Sequence, residues 1–221
     1  MVSDFVGTQR LYWWEQLTIL IRNTRLPTLN LQMVLSELVT TEFSQQLLPL
    51  RTDAEKNVAY EKISVFLRNA LHTCIPDYID RLSVALDQQN MTEGRSYGLM
   101  DWKQLKSLSN KGFEIGGHTA THCNVTGLDE TLLRSEILSS TAEIERQLEA
   151  PVLTFAYPYG SYTADDNVMA KILQEVNCQA AFTCQRKVIE GQNRIFELPR
   201  TRLNRAYSFA CGYNISESLN K

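Results

Sequence analysis

From about residue 98 to residue 203 the chain alternates short apolar runs with capped amphipathic helices, and this order limits its fold more than any other feature. Asp101 stands at an N-cap position with Gln104 three residues on. Trp102, Leu105 and Leu108 share one helical face, and Gly112 is a natural left-handed stop. Phe113–Gly116 then predicts a short buried strand. Asp129 caps a second helix, whose apolar positions Leu132, Leu133, Ile137, Ile144 and Leu148 repeat at the helical period until Pro151 breaks it. Val152–Tyr157 is rich in β-formers. Thr163 caps a third helix bearing Val168, Ile172, Leu173 and Val176, which Asn177 ends; Ala180–Cys184 and Phe196–Pro199 are two more strand candidates. A β-α-β-α-β order builds a parallel sheet or barrel with helices outside. Ligands then bind at the carboxyl ends of the strands.

The first part of the chain has a different grammar. Leu11, Trp14, Leu17, Leu20 and Ile21 recur at helical spacing until Pro27. Further stripes run through Leu31, Val34, Leu35, Leu38 and Val39, through Val58, Ile63, Phe66, Leu67 and Leu71, and, after Pro76, through Ile79, Leu82 and Leu86. They read as core, and the tandem Trp13–Trp14 reads as packing with a sugar-stacking platform as the alternative. The change of grammar predicts two domains, residues 1–97 and 98–221.

Composition narrows the partners. A net charge of −3 and no Lys/Arg block argue against nucleic acid. No apolar run approaches the roughly 18 residues of a membrane span. The opening residues lack the pattern of a signal peptide, so a cytoplasmic location is expected. The five cysteines form no CxxC pair and read as free thiols in a reducing compartment.

The chemistry-bearing residues collect at strand ends. Gly116-Gly117-His118-Thr119-Ala120-Thr121-His122 holds two of the three histidines of the chain. The glycines suggest a sharp turn at the strand end. Imidazoles four residues apart can meet on one ion, and such pairs suit zinc; the alternative is a pair that caps the following helix. His72 reads as structural. Phe155-Ala156-Tyr157-Pro158-Tyr159-Gly160 ends the next strand, where a stiff exit can aim the Tyr159 backbone N–H at the site as an oxyanion donor. Asp165 and Asp166 read as helix-start residues. Arg200, closing Leu198-Pro199-Arg200, points to the same face and could hold a carboxylate or a sugar oxygen.

Together these residues resemble the polysaccharide deacetylase family, carbohydrate esterase family four, over about Gly98 to Leu203. Phe113–His122 is similar to the second motif of the family, His-Ser/Thr-x-x-His with its Gly lead-in, and Phe155–Gly160 to the third. The segments Leu99-Met100-Asp101-Trp102 and Phe5-Val6-Gly7-Thr8…Trp13-Trp14 resemble a subgroup with a helical insertion after the second barrel strand. The resemblance implies an α/β fold, a partial distorted (β/α) barrel with an α-helical insertion. It also implies hydrolytic removal of acetyl groups from N-acetylated sugars of an acetylated polysaccharide or oligosaccharide. A divalent metal, commonly zinc, would polarise the acetyl carbonyl and activate water. His118 and His122 would be metal ligands, Tyr159 the backbone oxyanion donor, and Thr119, Tyr157, Pro158 and Arg200 the substrate-binding residues.

The first family motif, Thr-Phe-Asp-Asp-Gly, which supplies the general base and the third ligand, does not occur, and no histidine follows His122. The expectation is an N-terminally shortened member with a weakly held metal, with Asp4 a remote substitute for the missing ligand. The other readings are a non-catalytic carbohydrate- or metal-binding remnant and half of a split enzyme. A barrel short of its first strands exposes an unpaired sheet edge, so self-association is expected.

Overall fold

The computed structural model describes residues 1–35, 47–88, 98–160, 167–185, 187 and 194–201. The chain divides into two units, one of residues 7–99 and one of residues 1–6 with 100–221. The expected division at 97/98 falls at 99/100, and the opening six residues belong with the C-terminal unit.

The unit of residues 7–99 is helical, as its stripes predict. Helix α1 (Trp13–Asn23) buries Leu17, Leu20 and Ile21. A short strand β1 (Thr28–Asn30) runs into the one-turn helix α2 (Leu31–Val34), and β1 pairs antiparallel with β2 (Leu47–Pro49). Sequence reading missed this ribbon because each strand is only three residues long, too short to show alternation. The Leu38 and Val39 end of the second stripe lies outside the described residues.

Helix α3 (Asp53–Asn69) opens with a capping box, in which Thr52 Oγ1 accepts from the Glu55 N–H at 3.2 Å and Glu55 Oε2 from the Thr52 N–H at 2.8 Å. Ile63 and Leu67 are buried, but Val58 and Leu71 are exposed, so that stripe is narrower than the sequence suggests. Helix α4 (Ile75–Ala85), begun by Pro76 in its first turn, adds Ile79 and Leu82. These residues and Leu86 form one core, with Trp13 packed against it. Trp13 and Trp14 meet edge to face at 5.5 Å and Trp14 stacks on Tyr12 at 4.4 Å.

The C-terminal unit carries the β/α order. Helix α5 (Trp102–Ser109) starts at the Asp101–Gln104 capping box, and Gly112 takes φ +88° just beyond it. Helix α6 (Glu130–Leu148) is capped by the Asp129 carboxylate, which accepts from the Leu132 N–H at 2.9 Å, and ends at left-handed Glu149, two residues before Pro151. Strand β3 (Thr154–Ala156), helix α7 (Asn167–Glu175) and strand β4 (Ala180–Phe182) follow, with Asn177 left-handed after α7. The candidate cap Thr163 lies outside the described residues.

Strands β3 and β4 pair in parallel, and single parallel bridges extend the array to Gly117 beside β3 and to Leu198 beside β4. Two predicted strands are corrected here. Phe113–Gly116 forms no strand, the one bridge on that side falling at Gly117, and Phe196–Pro199 is reduced to the bridge at Leu198, because each flank has a single ladder neighbour among the described residues; Phe113 is exposed rather than buried. The described strands form an open arc of a partial barrel and do not close. Leu133 and Ile137 of α6 pack with Phe155, Tyr157, Ile172, Leu173 and Ala181 in one core, while Leu105, Ile144, Leu148 and Val152 form a second.

Candidate functional site

The site lies where the 116–122 segment and β3 leave the parallel array. Gly117 N–H donates to the Thr154 carbonyl at 2.8 Å, and Ala156 N–H donates to the Gly117 carbonyl at 2.9 Å, so the two backbones leave side by side. The glycines do not make the turn, contrary to expectation, since neither has a positive φ. Gly116 is needed for close approach, because a Cβ there would sit 2.7 Å from Thr154 Oγ1 and 2.9 Å from the Thr154 carbonyl oxygen. Thr119 and His122 make the turn, with φ of +60° and +66°; Tyr159 at the exit of β3 takes +59°. Three non-glycine residues in the left-handed region at one place is a concentration of backbone strain typical of functional sites.

The two histidine rings meet edge to face with centroids 4.7 Å apart, and the Tyr159 ring stands edge-on to His122 at 4.9 Å. His118 Nδ1 lies 2.5 Å from the Ala156 carbonyl oxygen. A carbonyl only accepts, so Nδ1 carries the proton and Nε2 keeps the lone pair, the tautomer a metal ligand requires. Burial lowers both imidazoles to about 4, and both are neutral at pH 7. A cavity of about 320 Å³ beside His118 is lined by Gly116, Gly117, His118, Phe182 and Arg200, with the Met1 amine donating to the Gly116 carbonyl at 2.5 Å.

The helix α6 supports the loop. The Glu136 carboxylate, 6% exposed, accepts from the Ala120 and Thr121 N–H groups, each at 3.0 Å, and from Thr121 Oγ1 at 2.8 Å. Ser140 Oγ donates to the Thr119 carbonyl at 3.1 Å. Cys123, next in the chain, has its thiol pushed up to about 12, by burial first and by the Glu136 charge second. Sequence reading passed over Glu136. The available signal was a charge and a serine, four residues apart, on the face that Leu133, Ile137 and Ile144 bury.

The remaining site residues separate into two groups. Arg200 is at the cavity, with Nη2 3.6 Å from Cys184 Sγ, and Tyr159 is beside His122. Thr119 is fully buried and its Oγ1 accepts from the His122 N–H at 3.0 Å, which secures the loop. Tyr157 is a core residue whose hydroxyl donates to the Phe196 carbonyl at 2.8 Å, and Pro158 is buried beside it in sequence. Asp4 reaches the loop through its backbone, its N–H donating to the Ala120 carbonyl at 3.1 Å. Asp165 and Asp166 lie outside the described residues.

The donor set fits a metal only in part. Two nitrogens on one tetrahedral zinc, at bonds of about 2.0–2.1 Å, stand roughly 3.3 Å apart, which rings at this separation can span. Among the described residues, no group of three His, Cys, Asp or Glu converges to complete it.

No curated protein matches the chain. Among solved structures, the deacetylase PplD of Streptococcus pyogenes, solved with acetate, is 22% identical over 49% of this chain and 46% of its own, with a TM-score of 0.45. IcaB from Ammonifex degensii is 23% identical over 54% of each chain, TM-score 0.44, and a polysaccharide deacetylase from Bacillus cereus is 18% identical over 60% and 46%, TM-score 0.42. The chain thus spans about half the length of these solved relatives. The polysaccharide deacetylase family model matches residues 78–182, starting inside α4, upstream of Gly98, and stopping at the end of β4, short of Leu203. Over residues 78–182 this chain is similar to the polysaccharide deacetylase family.

Proposed function

We propose that the chain carries part of the active site of a hydrolase that removes acetyl groups from N-acetylated sugars of a polysaccharide or oligosaccharide. The observation that carries this reading is the pair of neutral, edge-to-face imidazoles at the strand exits, one oriented by the Ala156 carbonyl. His118 and His122 would hold a divalent ion, zinc in the first instance. Among the described residues no carboxylate completes the set. The Tyr159 backbone would donate to the oxyanion and Arg200 would hold a polar group of the sugar at the cavity. A second reading, non-catalytic sugar or metal binding, is favoured by the two-ligand donor set itself. The free thiols of Cys74, Cys123, Cys178 and Cys184 suit a cytoplasmic setting. No helix among the described residues is long and apolar enough to cross a membrane. Self-association through the open sheet edge belongs to the same proposal.

Zinc titration against a competing chromophoric chelator tests the ligand pair. The full chain should bind one equivalent. His118→Ala should weaken binding by more than the roughly 10- to 100-fold typical of losing a residue that only supports a ligand. Equal binding by the variant removes the metal reading. Acetate release from an N-acetylglucosamine oligomer separates hydrolysis from binding alone.

A further inference from the structure

We propose that Glu136 is a positioning residue for this site: its carboxylate, with Ser140 one turn along α6, holds the 119–122 turn in the conformation that brings the His118 and His122 rings together. Four observations carry it. Thr119 and His122 are both left-handed, a conformation that persists only where the surroundings impose it. Between them lie Ala120 and Thr121, and both of their N–H groups donate to Glu136 Oε2 at 3.0 Å, the Ala120 N–H being shared with the Glu136 main-chain carbonyl at 3.2 Å. Thr121 Oγ1 occupies the other oxygen at 2.8 Å, so both carboxylate oxygens serve two adjacent residues of one turn. Ser140 takes the carbonyl of Thr119, the first strained residue, at 3.1 Å.

A buried carboxylate is tolerated only when donors satisfy it. Here donors on the histidine turn do so, which ties the position of α6 to the geometry of the imidazoles. A glutamate suits the task because it reaches from a helix to a loop with two acceptor oxygens at once. Glutamine keeps the reach but offers a single acceptor.

The functional consequence rests on the reading of His118 and His122 as ligands, whereas the geometric claim does not, and the test separates them. The full chain is compared with Glu136→Gln, Glu136→Ala and Ser140→Ala by two measurements. The first is the nuclear Overhauser cross-peak between the His118 and His122 ring protons in metal-free protein, with His72 as an internal reference. The second is cobalt(II) affinity, read from its visible absorption.

Glu136→Ala should lose the ring-to-ring cross-peak and bind cobalt roughly 10- to 100-fold more weakly, with Glu136→Gln between it and the parent. Retention of the full cross-peak, with affinity within about twofold of the parent, overturns the proposal. If the parent shows the cross-peak but binds no cobalt, the ligand reading fails and the cross-peaks alone decide the positioning role. If Glu136→Ala does not fold, Glu136→Gln and Ser140→Ala decide it, and undiminished cross-peaks in both overturn it.

Discussion

His118 and His122 show how much a single residue's surroundings determine. Both imidazoles are lowered from 6.5 to about 4, mainly because burial disfavours the cation. Between those two pH values the unfolded chain binds protons that the folded chain does not. Stability therefore rises with pH across this window and is lost as pH falls from 6.5 through 4. Urea midpoints measured at steps from pH 7 to 4.5 should fall toward acid, and the doubly substituted His118→Gln, His122→Gln chain should show a flatter slope above pH 5. The Met1 amine, lowered by burial to about 5, adds a slope of the same sign in both proteins and cancels in the comparison. An unchanged slope in the double variant would show that these rings are solvated. The sequence made the two histidines conspicuous through their position after a strand. It carried no sign of left-handed Thr119 and His122, because residues other than glycine rarely enter that region, a β-branched threonine least of all, and the tertiary frame imposes it here.

At the scale of elements, the helices were legible and the strands only partly so. Asp101, Asp129 and Asn177 announced the boundaries of α5, α6 and α7 because caps and left-handed stops are local chemistry. Strand length is not local, since a residue joins a ladder only where a neighbour exists, and where Phe113–Gly116 was expected as a strand there is a single bridge one residue on, at Gly117. Gly116 was singled out for the wrong reason, a turn, when its role is to let two backbones touch. Gly116→Ala tests that role. The new methyl would meet the Thr154 carbonyl at 2.9 Å and Thr154 Oγ1 at 2.7 Å, and Thr154 Oγ1 is fixed by donating to Glu114 at 2.7 Å. With a backbone atom and a tethered hydroxyl as neighbours, the substitution should cost about 1–3 kcal/mol, the range for overpacking. Chemical denaturation reads this directly, and a variant as stable as the parent would mean the two segments separate easily.

The whole molecule poses a question its separate parts do not: what an open parallel arc does at its edges. Among the described residues the arc runs from Gly117 through β3 and β4 to Leu198 without a further strand at either end, and closed barrels avoid such open ladder edges. Large apolar side chains stand near both ends, Phe113 at 61% exposure and Ile195 at 52%. Backbone groups without ladder partners, flanked by apolar surface, favour pairing with a second chain, and charge at an edge is how natural sheets oppose it. Sedimentation of the full chain should therefore show a weight-average mass that rises with concentration. Phe113→Lys, which replaces an exposed ring by a charge without touching either core, should move the distribution toward monomer. A parent chain that stays monomeric across the accessible concentration range would mean that its edges are already covered, and the expectation drawn from the missing first motif would fall with it.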